Sequence, residues 1–211
     1  MLHVFLLALL SLSAGAAAGA VINFDSVVNG TANEARTAPL ITQGFTFTSS
    51  HFHINDAPAS CSFGGCAVLN GTQYLNVDAP QLGLAVVMTR SGGGTFDVTG
   101  IQASRLFVDD TAASLANFIN ADNVVLTGAL SGGGTVSVSI LLPQLPAFNT
   151  FTLPGTFASL VSLTISGSAG AIDNASWAVD NITVNEIPEP GTALLAAGGL
   201  ALLLGLRKHR V

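Results

Sequence analysis

The chain has 211 residues, of which 49% are hydrophobic and only 9% charged, with a formal net charge of −6. An average soluble domain is about 25% charged, so a disordered chain, a charge-laced coiled coil and a basic nucleic-acid binder are all excluded. Much of the apolar excess sits at the two ends, which predicts one ordinary domain between two hydrophobic segments.

Taken in chain order, Leu2 to Leu12 form an apolar run with the length of a signal-peptide core, too short to span a bilayer. Ala18-Gly19-Ala20 follows with the small-x-small pattern of a cleavage site. Residues 1–20 therefore read as a signal peptide with an N-terminal signal helix, cleaved before Val21, although no Lys or Arg precedes the apolar run.

Between residues 21 and 186 no helical period persists. Short runs rich in Val, Ile, Phe and Thr alternate with Gly, Asn, Asp, Ser and Pro clusters, the pattern of an all-β domain. The expected strands are Val21–Asp25, Gly44–Thr48, His51–Ile54, Tyr74–Val77, Leu82–Thr89, Thr95–Val98 and Ala103–Val108. Asn123–Leu130, Thr135–Leu142, Phe148–Leu153, Ser159–Ser166 and Trp177–Val184 complete them, with a short helix expected over Ala112–Asn120. Val136, Val138 and Ile140 alternate with Ser137 and Ser139, as in a half-buried strand. So many short strands suit a two-sheet antiparallel sandwich of the jelly-roll kind.

Ser91-Gly92-Gly93-Gly94-Thr95 and Ser131-Gly132-Gly133-Gly134-Thr135 repeat one pattern. Glycine permits positive φ, so each copy predicts a tight hairpin. Strands follow both copies where a phosphate-cradling loop would need a helix. Cys61 and Cys66 enclose Ser62-Phe63-Gly64-Gly65 and predict a local disulfide in an exported protein. His51 and His53 fall on one strand face, expected to be solvated rather than metal-binding. Asp109-Asp110 reads as a solvated turn, and Trp177 as core rather than as a stacking platform with Tyr74. No nucleophile elbow, zinc-protease motif or recognisable Cys/His pair occurs, so no catalytic residue is assigned and the chain reads as non-enzymatic.

The last segment, residues 187–211, begins Ile187-Pro188-Glu189-Pro190-Gly191, continues uncharged from Thr192 to Leu206, and ends in Arg207, Lys208, His209 and Arg210. Two prolines exclude helix around Glu189. The 15 residues that follow reach only about 22 Å as a helix, short of a ~30 Å hydrocarbon core. The basic cluster predicts a cytoplasmic end to this transmembrane helix. These three ordered parts resemble the PEP-CTERM sorting signal of Gram-negative bacteria. The resemblance implies processing by an exosortase near Pro188, Glu189 and Pro190, a transient membrane tether, and delivery to the cell surface or extracellular matrix, in association with exopolysaccharide and biofilm.

Residues 21–186 carry eleven acidic and three basic side chains, a net of −8. That balance disfavours nucleic acid and anionic membranes and leaves metal ions or neutral glycans as easier partners. Ile22-Asn23-Phe24-Asp25, Phe148 to Leu153 with Leu160 to Ser166, and Trp177 to Val184 resemble PEP-CTERM proteins whose ectodomains look like carbohydrate-binding jelly rolls. That resemblance implies a non-catalytic, glycan- or matrix-interacting module and places Asp25 and Asp180 where first and last strands share a structural calcium. Read from the residues alone, the two are a strand-end Asp and an Asx-turn former with Asn181. A self-associating structural protein of the surface is the alternative function, and a polysaccharide-active enzyme a more distant one.

Overall fold

The alternation that marks Thr135–Leu141 recurs in Leu40–Thr42, Val86–Arg90 and Asn123–Leu130 but not in Phe52–Asn55 or Tyr74–Val77, where every residue is buried. A computed structural model describes residues 19–27, 34–55, 71–77, 84–107, 119–145, 147–170, 172–173 and 175–186. The described residues form strands, turns and loops only. They include no helix long and apolar enough to cross a membrane. Residues 1–18 and 187–211, with the expected signal helix, sorting motif and C-terminal helix, lie outside them, as do Cys61, Cys66, Asp109, Asp110 and residues 112–118 of the expected helix.

The strands are β1 (Ala20–Ile22), β2 (Glu34–Arg36), β3 (Leu40–Thr42), β4 (Phe45–Thr48), β5 (Phe52–Asn55), β6 (Tyr74–Val77) and β7 (Val86–Arg90). They continue with β8 (Phe96–Arg105), β9 (Asn123–Leu130), β10 (Thr135–Leu141), β11 (Asn149–Thr152), β12 (Leu160–Ala169), β13 (Ile172–Asp173) and β14 (Trp177–Glu186). All pair antiparallel in one sheet whose main path runs β2-β5-β6-β14-β8-β12-β7-β4-β3, with β1 on β14, β11 on β8, β9 and β10 beyond β12, and β13 on β12.

This sheet curls over itself. Phe24, just past β1 on the β14 side, meets Phe47 of β4 edge-to-face at 5.3 Å between ring centroids, although several strands separate them along the sheet. Phe45 of β4 meets Phe96 of β8 at the same 5.3 Å. The two halves thus face each other across a core that includes Ile54, Leu75, Ile101, Leu126, Leu163, Trp177 and Val184. A two-layer sandwich fits this arrangement.

Local chemistry explains the joins. β3 and β4 pair Leu40 with Phe47 and Thr42 with Phe45, leaving the two-residue loop Gln43-Gly44 with φ of 47° and 81°. Positive φ at both positions gives the mirror-image turn whose twist suits a hairpin. β8 runs unbroken where the sequence predicts two strands around Gly100. An added Cβ there would lie 3.3 Å from the Phe151 carbonyl oxygen, so Gly100 marks a close approach of β11 rather than a break. β2, β3 and β13 were not anticipated.

The two glycine repeats diverge. Ser131 to Gly134 close the β9–β10 hairpin, with Ala129 opposite Thr135. Ser91 to Thr95 do not close a hairpin, because β12 pairs with both β7 and β8. The glycines there serve the same conformational need, with φ near +90° at Gly92, Gly93 and Gly94, but the flanking strands find another partner first. Gly133 has φ of 89° and no neighbour within 4 Å of an added Cβ, whereas Gly132 has the same open space without positive φ. Gly133→Ala is therefore expected to lose about 1–2 kcal/mol from backbone strain alone, with Gly132→Ala near neutral. Urea unfolding of the two variants checks this.

Candidate functional site

β14 positions the site. One edge pairs with β8 along most of its length, while the other is divided: Trp177 to Val179 face β6, and Ile182 to Val184 face β1. Asp180 and Asn181 fall at the junction between these partners. The register against β8 shifts between Asp180 and Thr183, and Asn181 adopts φ of 45°. Asparagine is among the residues that accept this left-handed conformation most readily. The bulge it makes keeps the Asn181 amide beside the Asp180 carboxylate.

Two strand ends converge on the junction. Asp25 follows β1, and Thr72-Gln73 precede β6. The Gln73 backbone N–H donates to Asp25 Oδ1 at 3.0 Å, and the Thr72 hydroxyl donates to Asp180 Oδ2 at 3.3 Å. The exit of β1 is held by a reciprocal amide pair: Asn23 N–H donates to Gln43 Oε1 and Gln43 Nε2 donates to Asn23 Oδ1, both at 3.0 Å. The structure therefore brings Asp25 and Asp180 to one corner, bridged by adjacent residues. Asp180 is fully buried and Asp25 exposed. Among the described residues no group of three or more His, Cys, Asp or Glu side chains is arranged to hold a metal.

From this corner a polar row crosses the sheet on the face away from the main core. Asn181 Nδ2 donates to Asp180 Oδ2 at 3.2 Å and to Gln102 Oε1 at 2.9 Å, and Gln102 Nε2 donates to Thr150 Oγ1 at 3.3 Å. The row joins Thr72, β14, β8 and β11. Phe148, half-buried one step from Asn149, packs against buried Tyr74 at 5.1 Å between rings, together with Leu106 and Ala178. Tyr74 and Trp177 lie on opposite faces, since Leu75 and Val77 share the core with Trp177. They form no joint platform, and Trp177 is core as expected.

Farther along the same face Asn76 stands opposite both His53 of β5 and Ala178 of β14. It is fully buried, and neither its amide nitrogen nor its oxygen has a hydrogen-bond partner. Asn55 Nδ2 donates to the Tyr74 hydroxyl at 3.4 Å. His53 is 6% exposed, so the expectation of a solvated His51/His53 face is corrected. β5 lies inside the sheet between β2 and β6 and is buried on both sides. Gln102, Thr72 and Asn76 were not singled out from sequence, and Asn181 only as the Asx-turn partner of Asp180. The available signal was a polar residue inside an apolar run, as with Asn76 in Tyr-Leu-Asn-Val.

No family model matches the chain, and no curated protein matches it. Solved structures give distant likenesses. The enzymatically active domain of bacteriophage CBA120 tailspike protein 4 is 16% identical at a TM-score of 0.35, with 69% of this chain covering 20% of that one. This chain thus spans about a fifth of the tailspike domain. A DUF4465 family protein from Bacteroides ovatus is 10% identical at a TM-score of 0.42, over 80% of this chain and 98% of that one. A mutant of CBM29-2, a family 29 carbohydrate-binding module, is 11% identical at a TM-score of 0.34, over 82% and 96%. At this distance the likenesses assign neither ligand nor activity here.

Proposed function

We propose that this is an exported, exosortase-sorted protein of the cell surface or extracellular matrix, whose jelly-roll β-domain binds neutral glycan without altering it chemically. The observation that carries the proposal is the row Thr72–Asn181–Gln102–Thr150 beside half-buried Phe148. Sugar hydroxyls both donate and accept, and planar amides with hydroxyls match them in both directions. An aromatic side chain at the row's end offers the apolar surface that a sugar ring covers. Basic side chains, which polyanions would require, number three in residues 21–186. Export and sorting rest on Ala18-Gly19-Ala20, on Pro188, Glu189 and Pro190, and on the basic residues Arg207, Lys208 and Arg210.

A structural calcium belongs to the same proposal. The Asp25 and Asp180 carboxylates and the Thr72 hydroxyl supply oxygen at the corner, the hard-ligand chemistry calcium takes, while the Asn181 amide turns its nitrogen to Asp180. When bound, the ion supplies positive charge that ties the end of β1 to β14; it takes no part in a reaction.

The test is retention of the purified protein on the producing cell's extracellular polysaccharide. Gln102→Ala and Asn181→Gly are each expected to weaken retention at least tenfold, about 1.4 kcal/mol. Glycine keeps the positive φ at residue 181, so folding is preserved while the amide is removed. Unchanged retention by both variants, or release of shortened polymer by the wild type, would overturn the proposal. A second function has one observation in its favour: β10 pairs only with β9 among the described strands, and Thr135 to Leu141 carry no charge. Such an edge can pair with another copy. Concentration-dependent assembly without polysaccharide would select it.

A further inference from the structure

We infer that His51 and His53 form a binding site for a divalent first-row transition metal, separate from the Asp25–Asp180 corner. Their Nε2 atoms lie 3.0 Å apart, with the rings edge-on at 4.8 Å between centroids. Imidazole nitrogens bind such ions at about 2.0–2.1 Å. Two nitrogens on one ion are then about 2.9 Å apart at a right angle and about 3.4 Å apart at the tetrahedral angle. The observed spacing matches right-angled ligation, the arrangement of tetragonal copper(II) or nickel(II) sites, and copper(II) is the tightest binder of its series.

The protein fixes this spacing before any ion arrives. His53 is held inside the β5 ladder between Ala35 and Asn76. His51 sits in a local turn where Ser49 Oγ meets both its backbone N–H, at 3.4 Å, and its carbonyl, at 3.3 Å. A second, independent observation points to a ligand at the same place. The Asn76 side chain, directly across the ladder from His53, is fully buried and neither of its polar atoms is hydrogen-bonded. Facing side chains on adjacent strands stand about 5 Å apart at Cβ, which makes Asn76 the neighbouring neutral oxygen donor on the His53 face. Such orphaned polar groups are rare in native interiors. Ligation through both Nε2 atoms requires each ring to be neutral with its proton on Nδ1.

The experiment is thermal unfolding of the full chain with CuCl2, NiCl2 or ZnCl2, alongside the copper(II) paramagnetic resonance spectrum. At about a hundredfold excess over the dissociation constant, copper should raise the midpoint by about 5–10 °C. The spectrum should carry hyperfine structure from two nitrogens. His51→Gln, at a half-buried position outside the ladder, should abolish both effects, and Asn76→Ala should weaken binding without changing the nitrogen count. The chain with His3→Ala and His209→Ala should behave as wild type, as should the chain with Cys61→Ser and Cys66→Ser. No midpoint shift with any of the three ions would overturn the inference. So would a shift that survives His51→Gln, or one lost with the terminal histidines or the cysteines.

Discussion

Gly167→Ala is expected to destabilise the protein by about 3 kcal/mol or more, at the upper end of what overpacking a core costs. The added Cβ would stand 2.3 Å from Cδ1 of Trp177, 2.4 Å from the backbone carbonyl of Ala175 and 3.2 Å from Cβ of Ala121. A side chain can rotate away from one such contact, but the Ala175 carbonyl is backbone. It belongs to a segment tied in on several sides: Ser176 N–H donates to Ile119 at 2.6 Å, Ala121 N–H donates to Ser176 at 2.9 Å, and Asp122 N–H donates to Ser168 at 2.8 Å. Gly128 supplies the comparison. An added Cβ there would meet only side-chain ends, Leu160 at 2.7 Å and Val136 at 3.2 Å, so Gly128→Ala should cost about 1–2 kcal/mol. Denaturant unfolding of both variants gives the ranking directly. Adding Trp177→Phe to Gly167→Ala should recover only part of the loss, because the clash with the carbonyl stays. Equal destabilisation at the two glycines would mean that β12 and Trp177 do not pack as described.

That dependence of an indole on a glycine ten residues earlier shows where sequence reading ends. The strands themselves were legible because apolar and polar residues alternate with period two, most visibly from Thr135 to Ile140, and because Gly and Asn clusters separate them. Trp177 was legible as core because an isolated aromatic in a Val- and Ile-rich run has little else to do. Gly100 misled because glycine inside a strand signals either a break or a close approach, and only the partner strand decides which. The Gln43-Gly44 turn was obscured because glutamine is not among the usual residues at positive φ.

The site was legible only in outline. Asp25 and Asp180 were placed together through a family resemblance. What joins them is Thr72-Gln73, 48 residues from one and 108 from the other, brought in by the pairing of β6 with β14. No local pattern encodes that. The polar row likewise depends on which strands flank β8. Gln102 and Thr150 look like ordinary outward-facing residues until β11 aligns them. His51 and His53 are the reverse case: the shared face followed from period two, but the burial of His53 depends on β2 and β6 closing around β5.

Asp180 carries the second large effect, and its replacement by Ala or by Asn separates structure from ion binding. The carboxylate is fully buried and accepts from the Thr72 hydroxyl and the Asn181 amide, at the point where β14 changes partner from β6 to β1. Asp180→Ala removes the acceptor for both donors and leaves a small cavity, a loss of about 3 kcal/mol. Asp180→Asn keeps the shape and one accepting oxygen, so if hydrogen bonding is the whole of its role most of the stability should return. Calcium makes the opposite demand, because it needs the charge. Wild-type protein with calcium at about a hundredfold its dissociation constant should gain about 2.7 kcal/mol over chelated protein. Asp180→Asn should lose that gain while unfolding close to the chelated wild type, and Asp25→Asn should reduce it as well. Equal midpoints for the wild type in calcium and in chelator would remove the ion from the proposal. Asp180 would then stand as a buried acceptor that fixes the β-bulge at Asn181, and with it the amide that faces Gln102.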